Sequence, residues 1–150
     1  METSVWNFYY ADDAPEKKAI TIDFFNVIKK NIYQIYISNI VLDEIQKASE
    51  EKEKLLITII NDYKPEILPI NTNVLTLAEK YIIEMALPKR AVDDSKHAAI
   101  ATYYEMDALI SWNLKHLANL KRKQKINAIN LKEGFTKALD IITPMEVSDE

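Results

Sequence analysis

The sequence predicts a three-layer α/β/α fold, in which a central parallel sheet of about five strands carries helices on both faces. Short runs rich in β-branched and aromatic residues alternate with longer segments whose apolar residues recur at helical spacing. Of the 150 residues, 48% are apolar, and charges of both signs are interspersed among them. Because such a chain can bury one sizeable core, we expect a single domain over residues 1–150.

The opening METSVWNFYY is rich in β-formers and predicts the first strand, with Glu2 at or near its end. A buried first strand is usually an apolar run of about 4–8 residues. Here only Met1 precedes the polar Glu2. Either the true start of the chain lies upstream of Met1, or the sheet has lost half of its first strand.

The elements up to the middle of the chain follow from periodicity and from helix breakers. Apolar residues at helical spacing predict helices over residues 16–30 and 39–48, with the β-rich run YQIYI between them. After a polar break, residues 55–63 form a further helix. The pair Lys64-Pro65 ends it, because proline disfavours the α region at the preceding residue.

The second half continues the alternation and supplies the remaining strands. A proline within residues 67–70 suits a strand at the edge of the sheet. Asp93 or Asp94 is expected to cap a helix that runs to about Tyr104. The other predicted elements are a helix over 71–86, a strand over 108–112, a helix over 114–125 and a strand over 139–142.

Composition excludes several classes of function. The chain has no cysteine, which removes disulfides, thiolate metal sites and cysteine nucleophiles. It has one glycine, too few for a dinucleotide-binding fingerprint or a P-loop. No apolar run approaches the ~20 residues that span a bilayer, and no leader precedes the first polar residues. We therefore expect a cytoplasmic protein that does not enter the membrane.

Polar residues are expected to converge at the carboxyl edge of the sheet, where α/β proteins hold their ligands. They are Glu2, Glu44, Asp94 and Asn113, from four separate parts of the chain. Three carboxylates brought together without lysine or arginine repel one another unless a cation lies between them. Ligands that are all oxygen favour a hard cation, Mg²⁺ or Mn²⁺.

Four fragments in this order, ETSVWNF, VLDEI, DDSKHAAIAT and DALISWNLKHLAN, resemble the signature of the PIN-domain nucleases. The likeness is closest to the VapC-type toxin ribonucleases of toxin–antitoxin pairs. The late segment IITPMEV resembles the ending of one PIN subgroup, so the resemblance covers nearly the whole chain. It implies metal-dependent cleavage of RNA phosphodiester bonds. It also implies a cognate antitoxin and a homodimer.

The resemblance assigns a role to each candidate site residue. Glu2, Glu44 and Asp94 match three acidic positions of the family and would hold the metal ion. Ser4 matches a small hydroxyl that orients the first carboxylate or a metal-bound water, and Asn113 replaces a fourth acid. With a formal charge of −3 from the three acids, this set suits one Mg²⁺ better than a pair.

Basic residues around the same edge would contact the RNA backbone. The candidates are Lys96, Lys115, His116, Lys121, Arg122 and Lys123, with Lys125 beside them. A run of charges is more often a solvated helix face. His116 falls where the family often has a further acid, and an ordinary surface histidine is the alternative. His97 shares the helical face of Asp94, and packing against the sheet is its expected use.

Each acidic candidate also has an ordinary structural explanation. Asp94 could serve only as an N-cap, although Asp93 is the better candidate for that role. Glu44 could be a surface glutamate, and Asp43 competes with it for the metal. The alternative function is therefore a catalytically inactive PIN-fold module that binds RNA or protein. An enzyme acting on small phosphorylated metabolites is a more distant alternative.

Overall fold

The computed structural model describes residues 1–30 and 32–147 and combines helices with short strands. This mixture of element types agrees with the predicted α/β class. In chain order the elements are α1 (Thr3–Phe8), α2 (Pro15–Ile28), β1 (Tyr36–Ser38), α3 (Asn39–Gln46), α4 (Glu50–Tyr63), β2 (Glu66–Leu68), α5 (Thr72–Ile83), α6 (Val92–Tyr103), β3 (Ala108–Ile110), α7 (Leu120–Lys132), β4 (Asp140–Ile142) and the 3₁₀ helix Pro144–Glu146.

The strands of the described residues form two parallel pairs, β1 with β2 and β3 with β4. Within these ranges there is no continuous five-stranded sheet, which differs from the prediction. The two pairs are linked by the first two residues of the chain. The Met1 α-amino group donates to the Tyr36 carbonyl at 2.7 Å, and the Glu2 amide donates to the Ile110 carbonyl at 2.9 Å. Burial lowers the pKa of that amino group to about 6.

The prediction of a strand over METSVWNFYY is wrong, because helix α1 begins at Thr3. Glu2 is the N-cap, with extended backbone angles, and its side chain accepts a hydrogen bond from the Ser4 amide. Val5 and Trp6 are fully buried on the inner face of α1. β-Propensity reports how well a side chain fits a half-buried surface, and tertiary packing satisfied that preference here with a helix.

The starts of two other helices differ from the prediction because N-cap side chains set them. Ser49 accepts a hydrogen bond from the Lys52 amide, so α4 begins at Glu50, inside the predicted polar break. Asn119 accepts from the Arg122 amide and starts α7 at Leu120 rather than at residue 114. In both cases one polar side chain satisfies an amide that would otherwise lack a partner.

Buried side chains form two apolar clusters. One is built around α1 to α4 with Trp112, and the other around α5, α6 and α7 with β3 and β4. The alanines of α6, Ala98, Ala99 and Ala101, are buried in the second cluster, where their small size permits the close packing of α5 and α6. In the described ranges no helix is long and apolar enough to cross a membrane.

Candidate metal centre

Glu2 is a buried carboxylate whose oxygens are held by neighbouring hydrogen-bond donors. It is 6% exposed, and its own backbone amide forms part of the link between β1 and β3. The hydroxyls of Ser4 and Ser111 both donate to its Oε2, the latter at 2.7 Å, and the Ser4 amide donates to Oε1 at 3.2 Å. These donors fix the orientation of the carboxylate.

Glu44 lies on α3 beside Glu2, and its Oε1 is contacted from two other elements. The Thr3 hydroxyl donates to it at 2.7 Å, and His97 Nε2 lies 2.6 Å from it. Burial acts to raise the pKa of Glu44, but the hydrogen bonds and charge of His97, with Thr3, outweigh burial and lower the pKa. The neighbouring Asp43 is exposed. Glu44 is therefore the carboxylate that α3 directs into this site.

His97 joins the two glutamates in a group that could hold a metal ion. One ligand atom from each of Glu2, Glu44 and His97 lies within 4.8 Å of the others. His97 is 2% exposed, and its Nε2 lies 3.9 Å from Glu2 Oε1. Because an ionised carboxylate only accepts hydrogen bonds, Nε2 carries the proton in its contact with Glu44. A cation bound at Nε2 would replace that proton.

Asp94 lies at the margin of this group and is held by Asn113. The side-chain nitrogen Nδ2 of Asn113 donates to Asp94 Oδ1 at 3.0 Å. Burial, followed by the charge of Glu2, raises the pKa of Asp94 to about 6. The predicted capping role of Asp93 or Asp94 is wrong, because Ala91 occupies the N-cap of α6 and makes no side-chain cap. Asp93 is exposed, while Asp94 is half-buried.

The raised pKa of Asp94 predicts a pH-dependent stability. The Asp94 carboxyl binds its proton more tightly in the folded protein than in the unfolded chain, where its pKa is the usual 3.8. Its contribution to the free energy of unfolding is therefore fully present below pH 3.8 and is lost as the pH rises through about 6. The Asp94→Asn variant should therefore melt higher than the parent at about pH 7.5, and at the same temperature near pH 3.5. Thermal melts in a metal chelator measure this difference. An offset that is independent of pH would contradict it.

Thr3 and Ser111 are site residues that the sequence reasoning did not assign. Thr3 holds Glu44, and Ser111 holds Glu2 while its Oγ accepts from the Asn113 amide at 2.9 Å. Ser4 likewise accepts from the Trp112 amide at 2.9 Å. Thr3 lies between Glu2 and Ser4, which were both assigned to the site, and Ser111 directly precedes Trp112. The signal was the position of Thr3 directly after Glu2 and of Ser111 within the predicted strand over 108–112.

His97 is buried on α6, but its contact with Glu44 was not predicted. Its helical spacing from Asp94 put both side chains on one face of α6, and packing against the sheet was the expected use. It is buried, as that use requires, and it also contacts Glu44. The ligand set expected from the sequence contains only oxygen donors and therefore does not include His97.

Asn113 lies in the segment between β3 and α7, which also contains Trp112 and His116. Asn113 Oδ1 accepts from the His116 amide at 3.0 Å, so this residue caps the turn that follows β3 while binding Asp94. Burial, then the charges of Lys115, Arg122 and Arg90, lower the pKa of His116. Trp112 is a core residue, with its indole nitrogen donating to Thr21 at 2.9 Å.

The predicted RNA-contacting residues divide into two groups. Arg122 donates to the Ala86 carbonyl at 2.9 Å, and Lys123 pairs with Asp140 at 2.7 Å, so both have structural partners. Lys115 and Lys121 are exposed, and Lys96 is half-buried. The exposed pair is therefore the better placed to meet a polyanion.

Comparisons with known proteins add no relative from which a role could be transferred. No protein-family model matches this chain, and neither a curated protein nor a solved structure matches it.

Proposed function

We propose that this chain is a metal-dependent endoribonuclease of the PIN type, acting as the toxin of a toxin–antitoxin pair. The observation that supports the proposal is the grouping of Glu2, Glu44 and His97 around one point, with Asp94 beside them. A cognate antitoxin and a homodimer belong to the same proposal. Both are implied by the resemblance to the PIN-domain nucleases.

The donor set fits a divalent cation. Two carboxylates lie within ligand distance of one another, and a third has a raised pKa because burial and the charge of Glu2 disfavour its ionised form. A cation here would relieve that repulsion and lower the pKa of Asp94. When bound, the metal ion would activate water and stabilise charge on a phosphate oxygen. Ser4, Ser111 and Thr3 would keep the carboxylates in position.

The imidazole of His97 bears on which cation is held. Oxygen-rich sites suit Mg²⁺ and Mn²⁺, whereas imidazole ligands shift preference toward transition metals. A set of two glutamates and one histidine therefore favours Mn²⁺ over Mg²⁺. With the neutral Asn113 in place of a fourth acid, the set holds one cation, and a second would arrive only with substrate phosphate.

Cleavage of RNA by the purified protein tests the proposal directly. We expect cleavage of a structured RNA that requires Mn²⁺ or Mg²⁺, stops with chelator, and falls by at least about tenfold in Asp94→Ala. The matched control is Asp93→Ala, which removes an exposed carboxylate from the adjacent position and should leave cleavage unchanged. Equal loss in both variants would contradict a specific role for Asp94.

The rival is a PIN-fold module that binds RNA without cleaving it. The hydrogen bond between Asn113 and Asp94 favours it, because an amide stands where a further acid would strengthen a metal site. Binding of RNA without cleavage, together with an absence of Mn²⁺ binding in a titration of chelator-treated protein, would support the rival and overturn the enzyme.

The exposed lysines predict the salt dependence of RNA binding. If Lys115 and Lys121 each contact a phosphate, replacing either by glutamine should weaken binding uniformly across sequences. Each change should also reduce the slope of log K against log salt by about 1. Lys54→Gln on α4, which removes an exposed lysine that pairs with Glu50, is the control. If the slope is unchanged in Lys115→Gln and in Lys121→Gln, neither lysine contacts an RNA phosphate.

A further inference from the structure

Lys17 lies in the first turn of α2, at the end of that helix nearer the carboxyl ends of the strands. Helix α2 has 14 residues and is therefore about 21 Å long. Its last turn leads to the amino end of β1, where Ile28 and Ile35 line a common cavity. The first turn lies at the opposite end of the helix. The contact of Lys17 with Trp112, two residues after the end of β3, agrees with this position.

The ammonium group of Lys17 lies over two aromatic rings. Its Nζ is 5.2 Å from the centroid of the Phe8 ring and 5.5 Å from that of Trp112. Both distances are within the ~6 Å over which the face of a ring attracts a cation. The side chain is half-buried against this platform. Because its position is already restricted, binding an anion costs it less side-chain entropy than a free surface lysine would lose.

The positive charge of Lys17 is not neutralised by a neighbouring acid. In residues 1–30 and 32–147, no carboxylate lies within ion-pair distance of its Nζ. The adjacent Lys18 pairs with Asp12 and so occupies an acid of the preceding loop. Aromatic rings attract a cation but carry no net charge. The ammonium of Lys17 therefore remains available to an anion.

Hydrogen bonds through Trp112 connect the turn of Lys17 to the Glu2 carboxylate. Trp112 Nε1 donates to Thr21 Oγ1 at 2.9 Å, and Thr21 Oγ1 donates to the Lys17 carbonyl at 2.6 Å. The backbone amide of Trp112 donates to Ser4 Oγ at 2.9 Å, and Ser4 Oγ donates to Glu2 Oε2. The unpaired ammonium is therefore held in a defined position relative to the candidate metal centre.

We propose that Lys17, on its platform of Phe8 and Trp112, binds a backbone phosphate of the RNA strand that reaches the metal centre. Lys17 thereby adds a phosphate subsite on α2 to the proposed ribonuclease, on which this assignment rests. The carboxylates of the metal centre repel a polyanion, and a fixed ammonium near them offsets part of that repulsion. The ammonium donates a charge-assisted hydrogen bond to a phosphate oxygen.

The salt dependence of RNA binding tests the subsite. Binding of a fluorescein-labelled single-stranded RNA is measured by anisotropy in a metal chelator, where the RNA is not cleaved. We expect Lys17→Gln to weaken binding by at least about fivefold. It should also reduce the slope of log K against log salt by about 0.7, the value for one phosphate of a single strand.

Two matched variants separate the subsite from a general effect of charge. Lys18→Gln removes the same charge from the neighbouring residue, which already pairs with Asp12, and should leave the slope close to that of the parent. Lys17→Arg keeps the charge and can still lie over the two rings, so it should retain the parent slope. A parent slope in Lys17→Gln would overturn the subsite. A lower Tm without a change in slope would give Lys17 a structural role alone and would overturn it as well.

Cleavage kinetics distinguish failure of the subsite from failure of the proposed function. If the parent cleaves RNA, the loss in Lys17→Gln should appear in KM rather than in kcat, because the phosphate contact is made in the bound substrate and in the transition state alike. A loss confined to kcat would contradict the subsite. A parent that binds RNA without cleaving it, with a reduced slope in Lys17→Gln, would support the subsite and overturn the cleavage. Cleavage and binding that are both unaffected in Lys17→Gln would overturn the subsite alone.

Discussion

Replacing Glu44 by glutamine is expected to lower the affinity for Mn²⁺ by at least about 100-fold. Loss of a group that only orients a metal ligand costs up to about 100-fold in affinity, and loss of a ligand itself should cost at least as much. Glutamine keeps the shape of the side chain and can still accept from Thr3 Oγ1. The change therefore removes one charge without leaving a cavity. Isothermal titration of the chelator-treated protein with Mn²⁺ measures the effect, and RNA cleavage should fall in parallel.

The control for Glu44→Gln is Asp43→Asn, which removes the same charge from the exposed neighbour on α3. Long-range electrostatics would weaken Mn²⁺ binding in both variants by similar, small factors. Direct ligation weakens it only in Glu44→Gln. If the two titrations coincide, Glu44 is not a ligand, and the contact with His97 is a structural ion pair.

Truncation of Trp6 to alanine is expected to destabilise the protein by about 3–5 kcal/mol. Trp6 is fully buried, and its ring lies 5.1 Å from that of Phe25, so its loss opens a large cavity between α1 and α2. Helix α1 also begins directly after Glu2. The backbone amide of Ser4, in the first turn of α1, donates a hydrogen bond to the Glu2 side chain. Urea denaturation followed by circular dichroism gives the change in free energy of unfolding.

Trp6→Phe is the matched variant, because it keeps an aromatic ring against Phe25 and removes only part of the volume. The indole nitrogen of Trp6 has no hydrogen-bond partner among the described residues, so phenylalanine loses no bond. We expect it to cost less than half as much as alanine. A loss below about 1 kcal/mol for Trp6→Ala would show that α1 is not part of the cooperative core.

Periodicity predicted most helices of this chain, and local caps account for where it failed. The stretches that became α2, α3 and α5 have apolar residues at helical spacing, and their predicted extents match the structure within a few residues. The N-caps Ser49 and Asn119 moved the starts of α4 and α7, because one hydrogen bond decides where a helix begins. Helix α1 was missed since its β-formers are buried by contacts distant in sequence.

For the site, residue type and order were informative, but side-chain contacts were not predictable. The sequence suggested Glu2, Glu44, Asp94 and Asn113 as one constellation, and the structure places Glu44 beside Glu2 and Asn113 beside Asp94. The sequence could not show that His97 would contact Glu44. That contact depends on how α3 packs against α6, which is a tertiary distance between residues 53 positions apart.

The contact between His97 and Glu44 also joins the two apolar clusters, since the buried apolar residues of α6 belong to one, and Val41 and Ile45 of α3 belong to the other. Glu2 lies at the link between the two strand pairs. A cation bound by these three side chains would therefore cross-link the two apolar clusters. Any ligand that binds only the assembled state stabilises it in proportion to the logarithm of its concentration. Metal supply would then set how long the folded protein persists, as well as whether it reacts.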